Sequence, residues 1–156
     1  MTNRSKDKGT KFETAVVRYL RGMLGDDRIE RRALHGSHDM GDIYGLRCHG
    51  YEGIAECKDY REWARADLDR WKAQTLAERD NADAGFALLV VHRRGCSAQA
   101  ASRSFGENDC YLTIGDLMRI SGMGEPESPW ADAEWVWARI TIADAAGLMQ
   151  FGGEWQ

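Results

Sequence analysis

Proline is scarce in this chain: there are two in 156 residues, and both fall within one stretch, "SGMGEPESPW" (121–130), which is therefore the best linker candidate. Cysteine is equally uninformative as a scaffold. Cys48, Cys57, Cys96 and Cys110 are scattered with no CxxC pair, so a disulfide framework is not expected and the four read as free, mostly buried thiols. No run of apolar residues approaches the length of a membrane span, and "MTNRSKDKGTK" at the start lacks the apolar segment of a secretory signal. The expectation is an intracellular, cytoplasmic protein without membrane association. No internal repeat or low-complexity segment is present. Basic residues are sparse in the last third, where residues 107–156 hold two Lys/Arg against nine Asp/Glu.

What is present fits one globular domain: 43% hydrophobic and 29% charged residues in a chain long enough for one substantial core. The net charge of -4 hides a gradient, since residues 1–35 carry nine Lys/Arg and five Asp/Glu. Phosphate responds to the local field and not to the total, so a basic front and an acidic tail leave room for a nucleic-acid footprint on one surface. Two oppositely charged solvated faces would give the same counts.

Apolar positions Phe12, Val16, Val17, Leu20 and Leu24 recur at helical spacing and predict a helix from Gly9 to Leu24, stopped at Gly25. Strands are expected around Arg28–Leu34, Ile43–Cys48 and Tyr51–Lys58, the last two joined at "HG". An amphipathic helix is expected over Ala64–Asn81, followed by the buried strand "GFALLVVH". The order is αβββαβ. Beyond it, Ser97–Phe105 reads as a short helix, "CYLTI" as a strand and Gly115–Ile120 as a helical turn or two. "EWVWARITIA" then reads as a strand and Asp144–Gln150 as a short helix. Residues 1–120 form the main body, and 121–156 an appendage packed on it or extending it.

The chemistry is carried by "GIAECKDY". Alternation along a strand sends Glu56 and Lys58 to one face and Ala55 and Cys57 to the other. Alone this is no more than a surface ion pair. A second carboxylate, Asp42 in "MGDIYGL", opens the preceding strand and can lie beside Glu56, while Glu13 shares a helix face with residues expected to be buried. Carboxylates gathered at strand ends suit Mg²⁺ or Mn²⁺, with a lysine close by to orient water, which fits phosphodiester hydrolysis. The histidines His35, His38, His49 and His92 show no zinc-ligand spacing with the cysteines and read as loop and surface residues. In "DYREWARAD", Tyr60 and Trp63 interleave with Arg61 and Arg65, a composition suited to stacking and phosphate contact and equally to a helix start. Trp130, Trp135, Trp137 and Trp155 read as core or dimer surface.

"KGTKFE", "RRALHGSHDMGD" and "ECK", in this helix-strand order, together resemble the PD-(D/E)XK nucleases, and among them archaeal-type Holliday junction resolvases and their bacteriophage-borne relatives. The resemblance covers roughly residues 6–95. It implies a restriction-endonuclease-like mixed sheet flanked by helices, with Glu13, Asp42 and Glu56 as metal-binding acids and Lys58 as the catalytic lysine. It further implies active-site roles for the loop residue Ser37 and for Gln74, and DNA contacts from the basic arm Arg4, Lys6, Lys8 and Lys11 and from Arg31, Arg32, Arg61 and Arg65. A Mg²⁺-dependent homodimer that cuts four-way DNA junctions follows from it. The alternatives are a repair or restriction nuclease of the same superfamily, or a non-catalytic DNA-binding or assembly protein with this fold. Gly41 stands where the motif has proline, and the overall charge is acidic where archaeal resolvases are typically basic.

Overall fold

Phe12, Ala15, Val16, Val17 and Leu20 are all buried, and their three- and four-residue spacing places them along one side of a helix. In a computed structural model of the chain, which describes residues 2–33, 38–128, 130 and 136–151, they belong to α1 (Thr2–Leu24). The helix begins well before Gly9. Residues 4–8 are exposed and have no apolar stripe to show in the sequence, but once the buried half is nucleated by packing, extension costs little. The basic arm of Arg4, Lys6 and Lys8 is therefore helical.

Six strands follow among the described residues: β1 (Glu30–Arg31), β2 (Ile43–Cys48), β3 (Tyr51–Lys58), β4 (Phe86–Val91), β5 (Asp109–Thr113) and β6 (Trp137–Thr141). They form one mixed sheet in the order β1-β2-β3-β4-β5-β6. Only β3 and β4 run parallel, and α2 (Arg65–Asn81) makes the crossover between them. The protein is thus an α/β fold, with helices on both faces of the sheet. β1 is shorter than the expected strand from Arg28, and Leu34 lies outside the described residues.

The two faces are written into the strand parity. Ala55, Cys57, Phe86, Leu88 and Val90 pack with α1 and with α4 (Ile142–Phe151), while Leu89, Val91 and Tyr111 pack with Trp71 of α2. β4 is buried at every position, as its unbroken apolar run requires. Each fully buried Leu, Phe or Val here contributes roughly 1.5–3 kcal/mol. Glu56 and Lys58 project toward the α2 face.

The stretch 97–105 is not the expected short helix. It consists of turns followed by a 3₁₀ helix over Arg103–Glu107. Side chains compete with helical backbone bonding there: Ser97 Oγ accepts from the Gln99 amide, Ser104 Oγ accepts from the Ser97 amide, and Asn108 Nδ2 donates to the carbonyls of Ser97 and Phe105.

Past α3 (Ile114–Ile120), the proline-bearing stretch is tied back to the helix by Arg119, whose Nη2 lies 2.8 Å from Glu125 Oε2. β6 then adds to β5 as an antiparallel edge strand, and α4 packs into the same core as α1. Trp137 is half-buried beside β5, Trp130 is exposed, and Trp135 and Trp155 lie outside the described residues. All four cysteines are free thiols. Among the described residues no helix is long and apolar enough to cross a membrane.

Candidate active site

The end of β3 brings Glu56 and Lys58 onto one side, with Lys58 Nζ 2.9 Å from Glu56 Oε1. This is no surface pair, since the Lys58 side chain is 13% exposed and that of Glu56 5%. Gln74 of α2 completes the arrangement: its Oε1 accepts from Lys58 Nζ at 3.0 Å, and its Nε2 donates to Glu78 Oε1 at 2.7 Å and to Glu56 Oε1 at 3.3 Å. The amide thus turns its oxygen to the ammonium and its nitrogen to the carboxyls. An ammonium has three N–H donors. Glu56 and Gln74 take two, leaving one to reach into the cleft.

Asp42 immediately precedes β2, the antiparallel neighbour of β3. Its Oδ2 accepts from the Cys57 backbone amide at 2.8 Å, and its carbonyl accepts from Arg32 N at 2.6 Å, so the carboxylate is clamped beside Glu56. Two glycines make this approach possible. Gly41 has φ +89, a left-handed conformation that proline cannot adopt, and a Cβ there would lie 3.0 Å from Ile54 Cδ1. Gly45 has φ +84 at a β-bulge in β2, and a Cβ there would come 2.3 Å from the Arg28 carbonyl oxygen.

Glu13, half-buried on α1, completes a row of acids and pairs with Arg31 Nε at 3.1 Å. Burial, the charges of Glu56 and Glu13, and a hydrogen bond with Glu56 push the Asp42 carboxyl up to about 8, against the pull of the Cys57 amide. Burial also raises Glu13, although Arg31 offsets part of that. Burial alone would lower the Lys58 ammonium, but Glu56 and Asp42 outweigh it and hold it above its ordinary value.

Glu78 is the functional candidate that sequence reasoning missed. It is buried at the α2 face of the site, and burial, the Glu56 charge and a hydrogen bond with Glu56 push its carboxyl up to about 10. A signal existed: Trp71, Thr75 and Glu78 follow the buried stripe of α2, and Glu78 is one turn beyond Gln74. One further residue was read differently. His92 is not a surface histidine, since its ring stacks on Phe12, Nδ1 lies 2.7 Å from Asp59 Oδ1 and Nε2 lies 2.7 Å from the Cys96 carbonyl oxygen. Asp59 also pairs with Lys8 at 3.3 Å, which ties α1 to the end of β3.

Ser5, Lys8, Gly9, Glu13, Asp42, Glu56 and Lys58 line a cleft of about 400 Å³. A roomier groove of about 850 Å³ lies between α1 and residues 98–101, but its lining is mostly small or apolar and gathers no carboxylates. Of the other expected residues, Ser37 lies outside the described residues. Arg4, Lys6, Lys11, Arg61 and Arg65 are exposed, Arg31 is committed in part to Glu13, and the Arg32 guanidinium lies 4.8 Å over the Tyr44 ring.

The donor set suits a hard divalent cation. Glu13, Asp42 and Glu56 form an interacting row of oxygen donors, and Asp42 keeps a proton that a cation would displace. The row is not a closed cage: among the described residues no three His, Cys, Asp or Glu side chains converge as a ready-made metal-binding group. Mg²⁺ does not need one, because it binds through one or two carboxylates and takes its other oxygens from water and substrate. Compared with protein-family models, with curated proteins and with solved structures, the chain matches none.

Proposed function

We propose that the chain is a divalent-metal-dependent DNA endonuclease of the PD-(D/E)XK kind, with a restriction-endonuclease-like αβββαβ core, whose substrate is branched DNA, a four-way junction first among candidates. The observation that supports this most is the buried convergence of Asp42, Glu56 and Lys58 where β2 begins and β3 ends, with Gln74 bridging the last two. A buried acid row with a lysine has no need of this geometry for stability alone, because replacing a buried ion pair with apolar residues is often neutral or stabilising.

Asp42 and Glu56, with Glu13 behind them, would hold Mg²⁺ or Mn²⁺. When bound, that ion polarises the phosphoryl oxygen, lowers the pKa of water and offsets charge on the leaving oxygen. The chain's own residues supply the rest. Lys58 directs its remaining N–H toward the attacking water or a non-bridging phosphate oxygen. Gln74 fixes that direction by accepting from Lys58 while donating to Glu56 and Glu78. Glu78, kept neutral, holds the amide without adding charge to the row. Lys8, exposed above the cleft, meets the phosphate backbone.

A junction requires two symmetric cuts, and one chain houses one such site, so the active form is a two-fold homodimer. β4 and β5 cannot form its interface, because both are interior strands buried on both faces. That leaves exposed apolar residues near the end of the chain: Met123, Trp130 and Phe151. Among the described residues the edge strand β6 also has no second neighbour in the sheet, which suits pairing with another copy.

The role assignment is tested by three variants assayed on labelled DNA. Asp42→Asn and Glu56→Gln lose metal-dependent cleavage by about 10³-fold or more while DNA affinity stays within a few-fold, since the basic surface is untouched. Lys58→Met loses turnover with metal affinity little changed. Cleavage by either acid variant near the wild-type rate, or full rescue of Lys58→Met by high Mg²⁺, overturns the assignment.

A further inference from the structure

Beside the carboxylate cleft lies a second one, of about 320 Å³, and the two share Lys8, Asp59, Tyr60 and Arg61 in their walls. One of its walls is aromatic. Tyr60 and Trp63 are 54% and 37% exposed, an uncommon placement for large rings. Both are braced by the buried Trp71: Tyr60 stacks on it at 5.2 Å and an interplanar angle of 20°, and Trp63 packs at 5.5 Å and 59°. Trp71 is itself set in the α2-face core with Leu89, Val91 and Tyr111. The exposed rings are therefore held on a rigid base. The rim carries Lys8, Arg61 and Arg94 against one exposed acid, Glu62, and the buried carboxylate of the cleft, Asp59, is already matched by Lys8 and His92.

Resting on the nuclease reading above, we propose that this second cleft is a subsite for an unpaired nucleotide of a DNA strand, adjacent to the phosphate being cut. The base stacks on the Tyr60–Trp63 wall, and its flanking phosphates meet Lys8, Arg61 and Arg94. A cleft of this size admits about one nucleotide. Every base offers a π-face, so stacking of this kind tolerates any sequence. Paired bases in a duplex have their faces covered by their neighbours, so the subsite selects DNA whose strand is locally unstacked, as at a branch point, over continuous duplex.

The test uses the full chain in EDTA, so that binding is read without cleavage. It measures fluorescence anisotropy of dye-labelled single-stranded oligodeoxynucleotide, the matched duplex and the same single strand as RNA. Trp63→Ala and Tyr60→Ala each weaken single-stranded DNA binding about tenfold or more and leave duplex binding within about twofold, while Trp63→Phe restores most of the loss. Arg94→Ala weakens both forms and flattens the salt dependence. Equal losses on single strand and duplex, no loss on either, or tighter binding of the RNA strand overturns the proposal. The two readings separate cleanly. Single-strand selectivity in a protein that never cleaves DNA with Mg²⁺ keeps the subsite and removes the nuclease. Cleavage of branched DNA that is unchanged in both aromatic variants keeps the nuclease and removes the subsite.

Discussion

Asp42 is the residue on which the electrostatics turn. Its carboxyl is raised to about 8, so the folded state binds a proton that the unfolded chain has released by pH 5 or so. Stability gained from that proton is fully present below the unfolded pKa near 4 and is lost as pH rises toward 8. The metal-free protein is therefore expected to melt at lower temperature at pH 8 than at pH 5. Asp42→Asn should remove much of the difference, roughly 1–2 kcal/mol after allowance for solvent reaching this half-buried site. Adding Mg²⁺ at pH 8 should raise the melting temperature of the wild type and not of Asp42→Asn. Thermal melts across that range check both; a wild type whose melting temperature rises steadily from pH 5 to pH 8 without metal would contradict the charge balance drawn here. Within the candidate site, the convergence of Glu13, Asp42, Glu56 and Lys58 was legible because strand parity and helix spacing act over a few residues. The Gln74–Glu78 link was only half legible, since which helical turn faces β3 depends on how α2 crosses the sheet. The Asp59–His92 contact joins residues from two strand ends and leaves no local pattern to read.

At the scale of elements, the loop before β2 aims Asp42 and the buried network behind α2 holds that helix in place. Gly41 has a positive φ and Ile54 against its open side, so Gly41→Pro is expected to displace Asp42 and abolish cleavage, with a loss of stability of about 3 kcal/mol or more. Denaturant unfolding and a metal titration on the same sample check this; a fully active, fully stable Gly41→Pro would show that the turn is not as described. Behind the site, Asp116 accepts from the Ala87 amide at 3.0 Å and pairs with Arg79 at 3.0 Å and with Arg119 at 2.9 Å, which binds α2 and α3 to β4. Asp116→Ala leaves two guanidinium groups without their buried anion and should cost on the order of 3–5 kcal/mol, read as a lower urea midpoint. The strands and helices themselves were well marked in the sequence, β2 and β3 to the residue. The misread stretch, 97–105, was one where Ser97, Ser104 and Asn108 bond the backbone and override an otherwise plausible helical composition.

For the whole molecule, the acidic total obscures a basic rim of Lys8, Arg61 and Arg94 around the two adjoining clefts. DNA affinity is accordingly expected to fall steeply with salt despite the net charge of -4. Sedimentation at micromolar concentration should show a dimer, and Trp130→Glu or Phe151→Glu should shift it toward monomer, because both side chains are large, apolar and exposed near the end of the chain. A strictly monomeric protein, still monomeric on a junction, would exclude paired cutting. Past residue 120 the expected strand and short helix are present, and what no local pattern marked is where they dock: a turn fastened by Arg119 and Glu125, β6 paired with β5, and α4 in the main core. Only tertiary pairing reveals that. The most direct measurement of the central claim is incubation of the purified wild-type chain with a labelled four-way junction and with matched linear duplex, with Mg²⁺ and with EDTA. The account predicts Mg²⁺-dependent cleavage that favours the junction; no cleavage of either DNA at any Mg²⁺ or Mn²⁺ concentration would contradict it.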